Sequence, residues 1–297
     1  MKLGFLTACL PGESLDGIAG WAAAHGYRAL EVAAWPGDPG RPWEASHLGA
    51  DTGDVLAAHG LAVSAVAYYE NLLHHDPDER ARIHDHLRRC VDDAAALGCP
   101  LVGTFIGRDI TRTVADNLRL AEDLLPPLVA YAKDRGVVFV VENCPMEGWH
   151  PDGYPANLAY SPELWRWMAT LGFFLNFDPS HLVWLGIDPV AALSENLGLV
   201  KHVQAKDVQV DPAARNRFGV FGQVIDKPSA WTSGWWRYRV PGRGEVDWSG
   251  LLDVLYEGGY DGYVSVEHED PVWSGTPERV RQGLEIAHRT LAPLIVS

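Results

Sequence analysis

Asn176-Phe177-Asp178-Pro179-Ser180-His181 follows the short apolar run Phe173-Phe174-Leu175, and within it the pattern passes from strand to turn. A carboxylate at a strand's end with an imidazole three residues on suits a metal or proton-transfer site, although Asp-Pro-Ser alone also makes an ordinary turn or helix start. Three more expected strands end in the same way. They are Val138 to Glu142, before Asn143-Cys144-Pro145, then His202 to Asp207, and Tyr263 to Glu269.

Outward from this stretch, short apolar strands alternate with longer amphipathic segments eight times. The expected strands are Lys2 to Ala8, Ala29 to Ala34, Ala62 to Tyr68, Leu101 to Ile106, Val137 to Glu142, Phe173 to Asp178, Val200 to Lys206 and Tyr263 to Glu267. Helices are expected where Ser14 heads Leu15 to His25, Asp76 heads Glu79 to Leu97, Thr111 heads Arg112 to Arg135, Ser161 heads Leu164 to Leu171 and Thr276 heads Arg279 to Leu291. Three of these share a capping oxygen, a first-turn proline and an acid just after; the side-chain oxygens and carboxylates satisfy free N–H groups and the helix dipole. Gly26, Gly60, Gly98, Gly136 and Gly172 stand just before the next strand, where a glycine closes a helix. Eight such units predict a (β/α)8 TIM barrel over residues 1–297, a single domain with a long insertion after strand seven, about 208–246. A doubly wound open sheet also alternates strand and helix, but Cys9-Leu10-Pro11-Gly12-Glu13 after the first strand is not the glycine-rich turn of that fold.

The chain has 24 Lys and Arg against 39 Asp and Glu, a net charge of −15. So acidic a surface repels a phosphate backbone, which argues against a nucleic-acid partner. No apolar run is long enough to span a bilayer, so no membrane partner is expected. Cys9, Cys90, Cys99 and Cys144 show no C-x-x-C spacing, and no signal peptide precedes the first strand. Together these point to free thiols and a cytoplasmic location.

In a barrel the carboxyl ends of the strands carry the site, and side chains alternate between interior and helix layer. Counting by twos lets strands five to eight each aim one oxygen donor at the mouth: Glu142, Asp178, Gln204 and Glu267. Three converging carboxylates without a cation would raise one another's pKa. Three carboxylates and an amide form a hard donor set that favours Mn²⁺ or Mg²⁺ over Zn²⁺.

Val141-Glu142-Asn143, Phe177-Asp178-Pro179-Ser180-His181, His202-Val203-Gln204-Ala205-Lys206-Asp207, Pro241-Gly242-Arg243-Gly244-Glu245-Val246-Asp247-Trp248 and Ser265-Val266-Glu267-His268-Glu269 carry a resemblance. Over nearly its whole length the chain resembles the xylose isomerase-like sugar phosphate isomerase/epimerase superfamily. The resemblance implies one divalent metal on Glu142, Asp178, position 204 and Glu267, with the two glutamates also moving protons. The family's usual ligand at position 204 is His, and this chain has Gln, which coordinates more weakly; His202 shares its parity but lies deeper. The arginine that clamps substrate beyond strand seven in ketose 3-epimerases has no counterpart in Val208-Gln209-Val210, and Lys206 is the candidate for its place. The implied activity is a metal-dependent isomerase or epimerase acting on a ketose or keto-sugar. Glu142 or Glu267 would remove a proton next to the carbonyl and the other would return one through an enediolate, with His181 hydrogen-bonding a substrate oxygen.

Eight tryptophans fall in expected loops after strands: Trp35, Trp43, Trp149, Trp184, Trp231, Trp235, Trp236 and Trp273. Such loops suit a carbohydrate or glycoside, and equally a homo-oligomer or partner-subunit interface. Tyr68 and Tyr69, with His74 and His75, follow strand three and are expected to reach the mouth; Tyr68, His74, Trp236 and Arg243 join His181 and Lys206 as candidate substrate contacts. Cys144, near Glu142, reads as a packed thiol. Two other functions fit the same residues. One is a lyase or deglycosidase subunit cleaving 3-keto-glycosides, and the other a catalytically degenerate barrel that binds a sugar or a protein. A DNA-repair endonuclease on this barrel needs several more His ligands and a surface that binds DNA, against which the charge argues.

Overall fold

The computed structural model describes residues 1–37, 45–226 and 231–296. Trp43, one of the expected mouth tryptophans, lies outside the described residues. The strands in chain order are β1 (Lys2–Leu6), β2 (Ala29–Ala33), β3 (Ala62–Ala67), β4 (Leu101–Thr104), β5 (Val138–Glu142), β6 (Phe174–Phe177), β7 (Val200–Ala205), β8 (Asp207–Val210), β9 (Trp236–Arg239) and β10 (Tyr263–Val266). Eight of them close a barrel in the order β1-β10-β7-β6-β5-β4-β3-β2, and the pairings within it are parallel. These are the eight strands that the apolar runs predict, and the fold is a (β/α)8 TIM barrel. β8 and β9 pair antiparallel and form the stem of the excursion after strand seven.

Strands so short and apolar sit comfortably only where both faces are covered. The helices Leu15–Ala24, Pro77–Ala96, Pro162–Thr170 and Pro277–Leu291 supply the outer cover at nearly the predicted bounds. Gly136 takes φ of 72° where the helix before β5 ends, the left-handed closure expected of it. The expected single helix over 112–135 is instead two, Val114–Leu124 and Pro126–Lys133. Pro126 lacks the N–H that would continue the first helix, and Thr113 rather than Thr111 caps it, accepting from Asp116 N at 3.1 Å.

Asp207 ties the excursion back to the barrel. Its carboxylate accepts from Val208 N, Gly242 N, Val246 N and Trp248 Nε1 at 2.9–3.3 Å. Burial raises its pKa, against the pull of these donors. No helix among the described residues is long and apolar enough to cross a membrane.

Candidate active site

Glu142 is the last residue of β5, Asp178 follows β6, Lys206 follows β7 and Glu267 follows β10. A bond from Glu267 N to Ala205 O, 3.1 Å, sets the last two strand ends side by side. Asp178 heads the helix Pro179–Leu185, and its two oxygens do different things. Oδ1 accepts from Ser180 N at 2.8 Å, a helix cap. Oδ2 is buried, accepts no hydrogen bond, and lies 3.2 Å from Lys206 Nζ and 3.3 Å from His181 Nε2. Asn143 pins the main chain here, its side chain accepting from Asp178 N at 2.7 Å and donating to Asp178 O at 2.8 Å.

One oxygen from each of Glu142, Asp178 and Glu267 falls within 4.8 Å of the others. Lys206 Nζ stands among them, 2.6 Å from Glu267 Oε2, 3.1 Å from Glu269 Oε2 and 3.7 Å from Glu142 Oε1, and 4.6 Å from the centre of the Tyr238 ring. Burial disfavours the ammonium, yet Glu267, Glu269, Asp178 and Glu142 hold its pKa well above that of an ordinary lysine. For Glu267 burial comes first and the Glu142 charge next; Lys206 only partly offsets them, and the carboxyl sits well above its usual range. Asp178 goes the other way. Burial would raise it, but Lys206 and His181 bring it well below the usual carboxylate range.

His181 lies fully buried behind the carboxylates, its Nε2 2.9 Å from Glu142 Oε1 and its Nδ1 2.7 Å from Tyr238 Oη. Both ring nitrogens are engaged by the protein, so His181 orients Glu142 rather than facing the cavity. Burial works against its charged form, but the Asp178 carboxylate raises its pKa well above the usual value. Cys144 also lines the cavity, and burial pushes its thiol up to about 12, the inert state expected of a packed cysteine.

Under this cluster a polar layer fills the barrel. Glu31, wholly buried in β2, accepts from Tyr69 Oη, from Gln204 Nε2 at 3.2 Å and from Ser265 Oγ at 2.7 Å. Gln204 Nε2 also donates to Tyr69 Oη at 3.1 Å, and Asn176 Nδ2 does so at 2.8 Å. The amide nitrogen of Gln204 is therefore anchored, while its Oε1 is buried with no hydrogen-bond partner. His202 Nδ1 pairs with Asn176 Oδ1 at 2.9 Å, and burial pushes the His202 pKa down to about 3. It is a neutral member of this layer, away from the carboxylate cluster.

A cavity of about 680 Å³ opens above, with Glu142, Lys206, Glu267 and Glu269 on its wall beside Trp35, Tyr69, Phe105, Trp149 and Trp231. Four of the expected substrate contacts lie elsewhere. Tyr68 packs edge-on against His86 and Trp35, and it is Tyr69 that reaches the cavity. β3 stops at Ala67, so period-two counting does not extend to residues 68 and 69. His74 stacks on His75 and accepts from Asp76 N at 3.2 Å. Trp236 stacks on Trp184, centroids 4.8 Å apart, and lies 3% exposed inside the excursion's own core. Arg243 belongs to the turn closed by its N–H on Val240 O. Of the expected mouth tryptophans, Trp35, Trp149 and Trp231 line the cavity. Tyr69 reaches the mouth as expected, and Glu31 was missed. The available signal was a lone acid inside the apolar run Ala29-Leu30-Glu31-Val32-Ala33.

These donors fit a divalent cation. They comprise three buried carboxylates with neighbouring oxygens, and Asp178 Oδ2 and Gln204 Oε1 are acceptors without a hydrogen bond. Fold and site thus define a TIM barrel with an acidic mouth whose carboxylates could hold a divalent cation. The chain matches the family model of the xylose isomerase-like TIM barrel over residues 19–290, and it belongs to that family. It is 33% identical over 149 residues to the uncharacterized protein YfiH of Bacillus subtilis, covering 48% of this chain and 46% of that protein. To the inosose dehydratase of Clostridium tetani it is 34% identical over 101 residues, 33% of this chain and 31% of the enzyme. The aligned parts thus span less than half of these relatives. The solved IOLI protein with a bound zinc atom shares the fold throughout, with a TM-score of 0.72, 19% identity and 100% of both chains covered.

Proposed function

We propose that the chain is a divalent-cation-dependent isomerase or epimerase that removes a proton from the carbon beside the carbonyl of a ketose or keto-sugar and returns one. The observation that carries this reading is the pair Glu142 and Glu267, two carboxylates on the wall of one cavity with an oxygen of each within 4.8 Å of the other. Glu142, Asp178 and Glu267 would hold the cation, with Gln204 Oε1 as a fourth donor. Such a cation polarises a carbonyl and makes the neighbouring C–H more acidic. Mn²⁺ is the ion that the oxygen donor set favours.

Glu267, on the cavity wall and 2.6 Å from Lys206 Nζ, would serve as the general base. Glu142, oriented by His181, would return the proton. Lys206 reaches the cavity wall and can hold the substrate oxygen that gains charge. Trp35, Trp149 and Trp231 offer flat faces to the C–H face of a sugar.

A second reading is elimination, which begins with the same proton removal but then expels a hydroxide or an aglycone. The partial likeness to inosose dehydratase favours it, and so does Lys206, an ammonium able to protonate a leaving group.

Incubation of the Mn²⁺-loaded protein with ketohexoses, keto-glycosides and inososes in D₂O, followed by NMR, reads the shared step as deuterium uptake beside the carbonyl. Glu142→Gln and Glu267→Gln are each expected to slow it by about 10²- to 10⁴-fold. Exchange at the wild-type rate in both variants sinks the assignment, and release of water or aglycone selects elimination.

A further inference from the structure

The chain carries a cation of its own at the point where its carboxylates meet. Lys206 Nζ is within 3.7 Å of an oxygen of Glu142, Asp178 and Glu267, the same three side chains that could hold a metal ion, and its side chain is 2% exposed. A divalent ion bound by oxygens sits about 2.0 to 2.6 Å from each of them. An ion drawn to that distance from these oxygens would share the space of the ammonium and be repelled by its charge. The two cations exclude each other in this arrangement.

We propose that Lys206 is a tethered competitor for the cation site, so that a divalent ion enters only when the ammonium withdraws. Charge supports the exchange, since four acidic side chains, Glu142, Asp178, Glu267 and Glu269, face only two basic ones, Lys206 and His181. A place for the withdrawn ammonium is also present. Glu269 Oε2 already accepts from Lys206 Nζ at 3.1 Å, lies outside the three-carboxylate group, and belongs to a side chain 29% exposed at the cavity wall. A short swing toward Glu269 keeps one ion pair while freeing Asp178 and Glu142. With Lys206 at home its ammonium is shared among the carboxylates; with it displaced, the ammonium faces whatever occupies the cavity.

This inference rests on the cation reading of the site, and its test reads binding rather than turnover. Mn²⁺ is titrated calorimetrically into the metal-stripped wild type, Lys206→Met and Lys206→Gln, and thermal unfolding of each is followed in EDTA and in Mn²⁺. Both variants are expected to bind Mn²⁺ at least about tenfold more tightly than wild type. Each is also expected to be less stable than wild type in EDTA and to gain more from Mn²⁺, because its carboxylates repel one another until an ion arrives. If Lys206→Met does not fold in EDTA, Lys206→Gln, polar and close in length, decides the question. Wild-type affinity, or weaker, in the variants overturns the competition while leaving the cation site standing. No Mn²⁺ bound by any of the three proteins overturns the cation site itself, and this inference with it.

Discussion

Replacing Gln204 by Met keeps the side-chain length and removes both ends of the amide, which the structure places in opposite circumstances. Nε2 donates to the Glu31 carboxylate at 3.2 Å and to Tyr69 Oη at 3.1 Å, whereas Oε1 is buried and unpartnered. Losing the donor to a charged acceptor costs about 2 kcal/mol and the donor to the phenol about 1 kcal/mol, while removing a buried unpaired oxygen recovers about 2 kcal/mol. In EDTA, Gln204→Met is therefore expected to be about 1 kcal/mol less stable than wild type. With Mn²⁺ at a thousandfold excess over its Kd, the wild type gains about 4.1 kcal/mol; a variant that has lost one ligand and tenfold in affinity gains about 2.7. The gap between the two proteins then widens to about 2.4 kcal/mol. Urea unfolding of both proteins, with and without Mn²⁺, measures the two gaps. An equal gap in both conditions shows that Oε1 is not a ligand, and a variant more stable than wild type in EDTA refutes the claim that the Nε2 bonds outweigh the orphan oxygen.

Two further expectations concern the frame around the site. In the loop after β4, Asp109 accepts from Thr111 N, Thr111 Oγ1 and Arg112 Nε at 2.6–2.9 Å, and these donors outweigh burial to lower its pKa from 3.8. Asp109→Asn should cost about 1 to 2 kcal/mol near neutral pH. Because the folded pKa is the lower one, the unfolded chain takes up the proton first. The advantage of Asp109 is thus complete above the ordinary aspartate pKa and fades as pH falls through the folded value. Urea midpoints of both proteins across that range should converge on acidification, and a constant difference would refute the linkage. In β4, a Cβ on Gly103 would stand 2.5 Å from Tyr69 Oη and 2.9 Å from its Cζ. Gly103→Ala should cost about 1 to 3 kcal/mol by overpacking, read from urea unfolding, and unchanged stability would mean that the Tyr69 ring has room to yield.

The barrel was legible because each strand is a short apolar run closed off by a glycine or a capping oxygen, signals that act within a few residues. The convergence of Glu142, Asp178 and Glu267 followed from period-two counting toward one end of the barrel. Counting failed where the backbone leaves the regular strand. Tyr68 and Tyr69 lie past the end of β3, and the register between β2 and β3 slips at Leu30/Glu31, beside the buried acid that organises the interior layer. It failed again at Pro126, where a missing N–H divides a segment whose apolar spacing reads as continuous. Lys206 exposes a different limit. Parity put it on the same face as Gln204, but only the reach of a four-carbon stem returns its ammonium to the carboxylates, and sequence spacing does not carry that distance.

At Asp178 the helix cap and the carboxylate cluster draw on different oxygens of one side chain. The cap uses Oδ1, and Asn143 holds both the N–H and the C=O of the same residue, so the carboxylate is set by hydrogen bonds of its own main chain rather than by any cation. Oδ2 is thereby left aimed at the cluster with no bond of its own, and the following turn carries His181 into reach of both Asp178 and Glu142. Pro179 at the first helical position fixes that turn at no cost in hydrogen bonds, because the N–H it lacks has no partner within the helix there. An ordinary helix start is thus the device that keeps a carboxylate oriented for an ion or an ammonium, whichever of the two occupies the site.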